Sequence, residues 1–158
     1  MDRIHSFLAH AVTLEAEAAR SFDELADAMQ TCGNAEVEAF FRQMADYARL
    51  HLKEAMARAG FREQPQLSAE QFEWPDGEPP ERPDWIGVDG FMDVDAALLL
   101  ALASERRARH FYARIARTTE DPKIRAMAQE FAEEEDEHVA LLEQWIRRSG
   151  ASVPPEDE

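Results

Sequence analysis

Between Ile124 and Ile146 the chain reads IRAMAQEFAEEEDEHVALLEQWI, and two of its residues are the first that could do chemistry. Taking every third or fourth position gives Ile124, Ala128, Phe131, Glu135, His138, Leu142 and Trp145, one continuous helical stripe. Glu135 and His138 therefore stand where the pattern asks for core. A buried carboxylate without compensation costs on the order of several kcal/mol, so such a group is paired, protonated or bound to a metal. The i, i+3 spacing aims both side chains the same way, as two ligands of one metal centre require.

Three more stripes carry the same kind of interruption. Ile4, Leu8, Val12, Ala18, Phe22, Leu25 and Met29 form the first, broken by Glu15. Val37, Phe41, Met44, Ala48, His51, Ala55 and Ala59 form the second, which contains His51. Val94, Leu98, Ala101, Glu105, Ala108, Tyr112 and Ile115 form the third, with Glu105 in its middle. Taken singly, each has a bland explanation: a lone core histidine packs and hydrogen-bonds, and EEEDEH is a solvated face. Their coincidence carries the argument, because Glu15, His51, Glu105, Glu135 and His138 all fall near mid-helix, and antiparallel packing brings such positions to one level. Carboxylate oxygens with imidazole nitrogens suit iron, manganese or zinc better than magnesium or copper(I).

The elements that must position these groups are bounded by clear signals. The spacing predicts helices over about 2–31, 34–60, 93–118 and 121–149. Cys32-Gly33-Asn34 ends the first, with Asn34 as cap of the second, and Gly60 stops the second. Asp93 or Asp95 caps the third, Asp121-Pro122 opens the fourth and Gly150 ends it. Residues 61–92 hold Pro65, Pro75, Pro79, Pro80 and Pro83 with Gly77, Gly87 and Gly90, which forbids a long helix. A connector of that length joins the end of one helix to the start of a parallel neighbour, with Trp74 and Trp85 pinning it and a helical turn over Leu67 to Phe72. The expected architecture is an all-α four-helix bundle in one domain, residues 1–150, with a long crossover between helices 2 and 3. Residues 151–158 are expected to form a frayed acidic tail.

Composition narrows the function. Thirty-three acidic residues against seventeen basic give a net charge of −16, which argues against nucleic acid or anionic lipid as partner and is compatible with cation binding. The single cysteine, Cys32, excludes a Cys-x-x-Cys site or a cysteine-ligated cluster within one chain, and it suits a reducing compartment. The N-terminal MDRIHSFLAHAVTLEAEAAR carries acids early and reads as neither signal nor transit peptide. No apolar run approaches the roughly 20 residues of a membrane span, so a soluble, cytoplasmic protein with no membrane partner is expected.

The halves also echo each other. Glu15-x-x-Ala18-x-x-x-Phe22 answers to Glu105-x-x-Ala108-x-x-x-Tyr112, as in a duplicated helical hairpin. LEAEAARSF with ADYARLH, ASERRARHFY with EEEDEH, and the long crossover together resemble the ferritin-like superfamily, specifically its rubrerythrin branch. That resemblance implies a ferritin-like bundle with a non-haem di-iron carboxylate centre. It implies Glu15 and Glu105 as terminal carboxylates, His51 and His138 as imidazole ligands, and Glu135 as a bridging carboxylate. The family's second-helix Glu-x-x-His is here Ala48-x-x-His51, so one bridging glutamate is absent. Three carboxylates supply −3 against +4 for two divalent ions, and a further anion or a displaced Glu54 would have to complete the set.

The resemblance implies iron as cofactor, with zinc or manganese as alternatives. It implies peroxide reduction or ferrous iron oxidation, with peroxide or dioxygen as reactant and an external electron donor, since the rubredoxin cysteines are lacking. Two other readings stand beside it: a non-catalytic, iron-handling bundle with a single-metal or partial site, and a metal-free interaction scaffold. Tyr47, beside the missing ligand, is read as packing with a second-layer role at the metal as the alternative. His5, His10 and His110 are read as surface or rim residues. Leu99, Leu100, Leu102, Leu141 and Ile146 offer more apolar surface than one stripe needs, which points to a homodimer.

Overall fold

A computed structural model describes residues 2–65 and 88–156. Each helix starts on a side-chain acceptor that satisfies amides left over by the first turn. Asp2 takes the His5 N–H at 2.8 Å and opens α1 (Arg3–Cys32). Asn34 takes the Val37 N–H at 3.0 Å and opens α2 (Ala35–Ala59). Asp93, rather than Asp95, takes the Ala96 N–H at 2.8 Å and opens α3 (Val94–Thr118). Asp121 receives the Lys123 and Ile124 amides ahead of Pro122, the first residue of α4 (Pro122–Arg148). α1 and α2 stop on Gly33 and Gly60, whose φ of 81° and 72° lie in the left-handed region that glycine enters without a Cβ clash.

The described residues contain no strand, and no helix is long and apolar enough to cross a membrane. α1 packs mainly on α2 and α3 mainly on α4, so the bundle is two helical hairpins face to face. Its core is split in two. One cluster holds Phe22, Leu25, Met29, Phe41, Met44, Leu98, Leu102, Leu142 and Ile146. The other holds Phe7, Leu8, Val12, Ala55, Phe111, Tyr112, Ile115, Ile124, Ala128 and Phe131.

Chain direction follows from those memberships. α1 and α4 run from the second cluster to the first, whereas α2 and α3 both run from the first to the second. α2 and α3 are therefore parallel, and their connection must travel back along the bundle. Its described ends agree: Phe61 packs on the second cluster, and Val88 and Met92 pack on the first. Trp74, Trp85 and the turn expected over Leu67 to Phe72 lie outside the described residues.

Two expectations are corrected here. The segment after α4 does not fray through residue 156: Ala151 and Val153 pack on the first cluster, the Pro155 carbonyl accepts from Arg106, and Glu156 pairs with Arg109. Apolar side chains and paired charges hold what the sequence presents as a Pro-rich acidic end. Of the five residues read as surplus apolar surface, Leu102 and Ile146 are core, Leu100 and Leu141 are half-buried, and only Leu99 is exposed.

Candidate metal centre

Along every helix at least one polar residue stands between the two apolar clusters. α1 places Glu15 between Val12 and Phe22, and α3 places Glu105 between Leu102 and Phe111. α2 places Ala48 and His51 between Ala45 and Ala55, and α4 places Glu135 and His138 between Phe131 and Val139. The mid-helix coincidence in the sequence is thus a single polar layer in space. Glu15, Glu105, Glu135 and His138 are all buried, Glu135 at 2% exposure. His51 is half-buried.

The five groups do not converge equally. Glu105, Glu135 and His138 each offer a ligand atom within 4.8 Å of one another. His138 Nδ1 stands 3.7 Å from Glu105 Oε1 and 3.5 Å from Glu135 Oε2. His51 approaches from the other hairpin, with Nδ1 3.9 Å from Glu15 Oε1 and Nε2 3.5 Å from Glu134 Oε2. The two imidazoles stack, centroids 5.3 Å apart and planes 10° from parallel. Tyr47 covers His138 with its ring at 6.0 Å, while its hydroxyl turns away to accept from Gln43. Tyr47 therefore meets the layer with its ring face. Glu54 is exposed and outside the group.

Electrostatics in this dry layer are severe. Burial, and then repulsion from Glu105, pushes the Glu15 carboxyl up to about 8. Burial with Glu105 and Glu15 at hand drives Glu135 well above the carboxylate range. Burial also works against Glu105, but the proton shared by Glu135 and the facing His138 outweigh it, so Glu105 ends below its ordinary value. His138 is pulled down by burial and pushed up further by Glu105 and Glu15, whereas burial and the charge on His138 lower His51. Without a metal, protons hold the layer together.

They do so incompletely. Glu135 Oε2, His138 Nδ1 and His51 Nδ1 are buried with no hydrogen-bond partner. Beyond its 3.5 Å approach to His138, Glu135 shares a proton with Glu105 and Glu15. Buried donors and acceptors are ordinarily paired, so a set of partnerless ligand atoms around one space marks where a ligand would bind. Their kind, carboxylate oxygen and imidazole nitrogen, is the donor set of divalent iron, manganese or zinc. The residues present fit a metal.

The Rubrerythrin family model matches residues 96–155, which contain Glu105, Glu135 and His138. A solved structure, an uncharacterised conserved protein from Magnetospirillum magnetotacticum MS-1, is similar along the whole length. It shares 34% identity with a TM-score of 0.75, covering 99% of this chain and 100% of that one. The chain belongs to the rubrerythrin family. No curated protein matches it.

As a rubrerythrin-family member it is a ferritin-like metal-binding protein, and its departures from the family pattern become readable. Ferritin-like di-metal sites take a Glu from each of two helices and a Glu-x-x-His from each of the others. This member keeps one Glu-x-x-His on α4, while α2 contributes only His51, with buried Ala48 three residues before it. Two residues near the layer escaped the sequence reading. Glu134 looked like one more acid on a solvated face, yet it faces His51. His10, read as a rim residue, is buried beside Phe111, and burial lowers its imidazole to about 4. Phe7 to Val12 are buried without interruption, so a single stripe does not describe that end of α1.

Proposed function

We propose that this rubrerythrin-family protein is a non-haem iron oxidoreductase that reduces peroxide or oxidises ferrous iron at a carboxylate and histidine centre. What carries the reading is the set of buried, partnerless ligand atoms on Glu135, His138 and His51 in the middle of a family bundle. Glu105, Glu135 and His138 would hold the first ion, and Glu15 with His51 the second. A ferrous pair, when bound, supplies two electrons, with which peroxide and two protons become two waters.

The chain's own part is to bind, shield and neutralise. Phe131 and Tyr112, rings 5.4 Å apart, close the layer on the second-cluster side. The first cluster closes it on the other, and Tyr47 roofs His138. Water is kept from the layer, which strengthens the hold of its carboxylates on a cation. The protons that Glu15 and Glu135 carry in the metal-free state leave when an ion binds.

Anaerobic loading with ferrous iron followed by peroxide tests the reading. Close to two irons per chain, oxidised rapidly by peroxide, is the expected result; no iron uptake would overturn it. A second reading is favoured by the smaller convergent group: one ion on Glu105, Glu135 and His138, held without turnover. Uptake of one iron with no peroxide consumption would select it.

A further inference from the structure

Outside the buried layer, one carboxylate faces it without being part of the family pattern. Glu134 immediately precedes Glu135, so it projects about 100° away around α4 and toward α2 instead of into the centre. Its Oε2 stands 3.5 Å from His51 Nε2. Arg58, a guanidinium on the same side of α2, is already forked on Glu130, with both contacts at 2.7 Å. Glu134 is half-buried on the α2-facing side of α4, and His51 is its partner.

His51 needs such a partner. His138 stacks with both Tyr47 and His51, and its Nδ1 faces two carboxylates of the layer. The Nδ1 of His51 has Glu15 alone, at 3.9 Å. A ligating histidine keeps its tautomer and ring orientation by donating its other N–H to a carboxylate or carbonyl. We propose that Glu134 is the positioning residue for His51: it accepts the Nε2–H on its carboxylate, leaves the Nδ1 lone pair for a metal, and supplies from α4 the carboxylate that α2 lacks at Ala48. Counted with Glu15, Glu105 and Glu135, it brings the carboxylate charge to −4, equal and opposite to two divalent ions. The assignment rests on the proposed metal centre.

Zinc alone, titrated into the full chain against a competing chelator, tests it together with the nitrogen shifts of the His51 ring in the metal-free protein. E134A is expected to weaken zinc binding by about tenfold to a hundredfold and to shift His51 away from the Nε2–H tautomer. E134Q, whose amide oxygen still accepts an N–H, keeps that tautomer and recovers most of the affinity. E133A removes the same charge from an exposed neighbour and changes neither. Wild-type zinc binding with E134A unchanged, or E133A as damaging as E134A, overturns the role of Glu134 alone. A wild-type chain that binds no zinc overturns the metal centre and this assignment with it.

Discussion

The imidazoles of His51 and His138 lie face to face across the two hairpins, 5.3 Å between centroids and 10° from parallel. Two rings so placed cannot both carry a proton cheaply. His138, beside Glu105 and Glu15, keeps the charge, and His51, lowered by burial and by that charge, gives it up. Each hairpin thus brings one imidazole to a common seam.

A ligand gripped there ties the hairpins together, so metal removal should loosen the whole fold. Metal at a hundred times its dissociation constant stabilises the folded state by about 2.7 kcal/mol. For a chain of this size that amounts to roughly 5–10 °C in melting temperature. Scanning calorimetry with ferrous iron or zinc, and then with chelator, checks it. An unchanged melting point on chelation would exclude a metal that bridges the hairpins.

pH should act oppositely on the two states. Glu15 is raised from 4.5 to about 8, first by burial and then by Glu105. For an acid raised on folding, stability is fully present below 4.5 and is lost as pH climbs through about 8. His10 and His51, lowered by burial, have the opposite sign, but their effect fades as pH passes their ordinary 6.5. Between pH 6.5 and 8 the raised acids Glu15, Glu134 and Glu135 therefore act together, with raised His138 adding in the same direction. Metal-free protein should lose on the order of 2 kcal/mol or more across that window. Metal affinity should rise over it, because binding expels the same protons. Urea midpoints at both ends of the window, with chelator, decide the first point, and zinc titrations the second.

Glu135 poses function against stability directly. It is 2% exposed and has an orphaned oxygen, and a leucine in its place would fill nearly the same volume without a charge to desolvate. Replacing buried ionisable groups by apolar ones of similar shape is commonly neutral or stabilising. Glu135→Leu should stabilise the metal-free protein by about 1–3 kcal/mol while abolishing iron uptake. Denaturant midpoints in chelator, beside an iron count, measure both. A loss of stability would mean that the proton shared with Glu105 and Glu15 is a structural tie.

Periodicity made the four helices legible, since apolar residues at three and four spacing, with capping acids and stop glycines, mark single-stripe helices well. It also exposed Glu15, His51, Glu105, Glu135 and His138, because an ionisable group in a core stripe is a local contradiction visible without coordinates. Glu134 was not legible, because it stands one residue off the stripe in an acidic run. Only the place of α2 beside α4 shows that it meets His51. His10 was missed for the converse reason: stripe logic assumes a solvent face, and α1 has none from Phe7 to Val12. The docked tail needed Arg106 and Arg109 brought near it from α3, which no local pattern in SVPPEDE contains.

Ala48 is the position where the departure from the family pattern can be reversed. It is buried, one turn before His51 on the same face of α2, and so borders the layer from which a carboxylate is missing. Ala48→Glu adds a fourth buried acid among Glu15, Glu105 and Glu135. In metal-free protein the added group must be desolvated or protonated, and the larger side chain must fit where a methyl stood. Together these should cost about 1–3 kcal/mol. With metal the sign turns over. The layer's charge goes from −3 to −4, the second ion gains an anionic ligand beside His51, and its affinity should rise more than that of the first. Stepwise zinc or ferrous titrations of wild type and A48E, paired with melting in chelator, give both quantities. Weaker metal-free stability with a tighter second equivalent is the expected pair; a destabilised variant whose second equivalent is unchanged would mean that position 48 does not reach the metals.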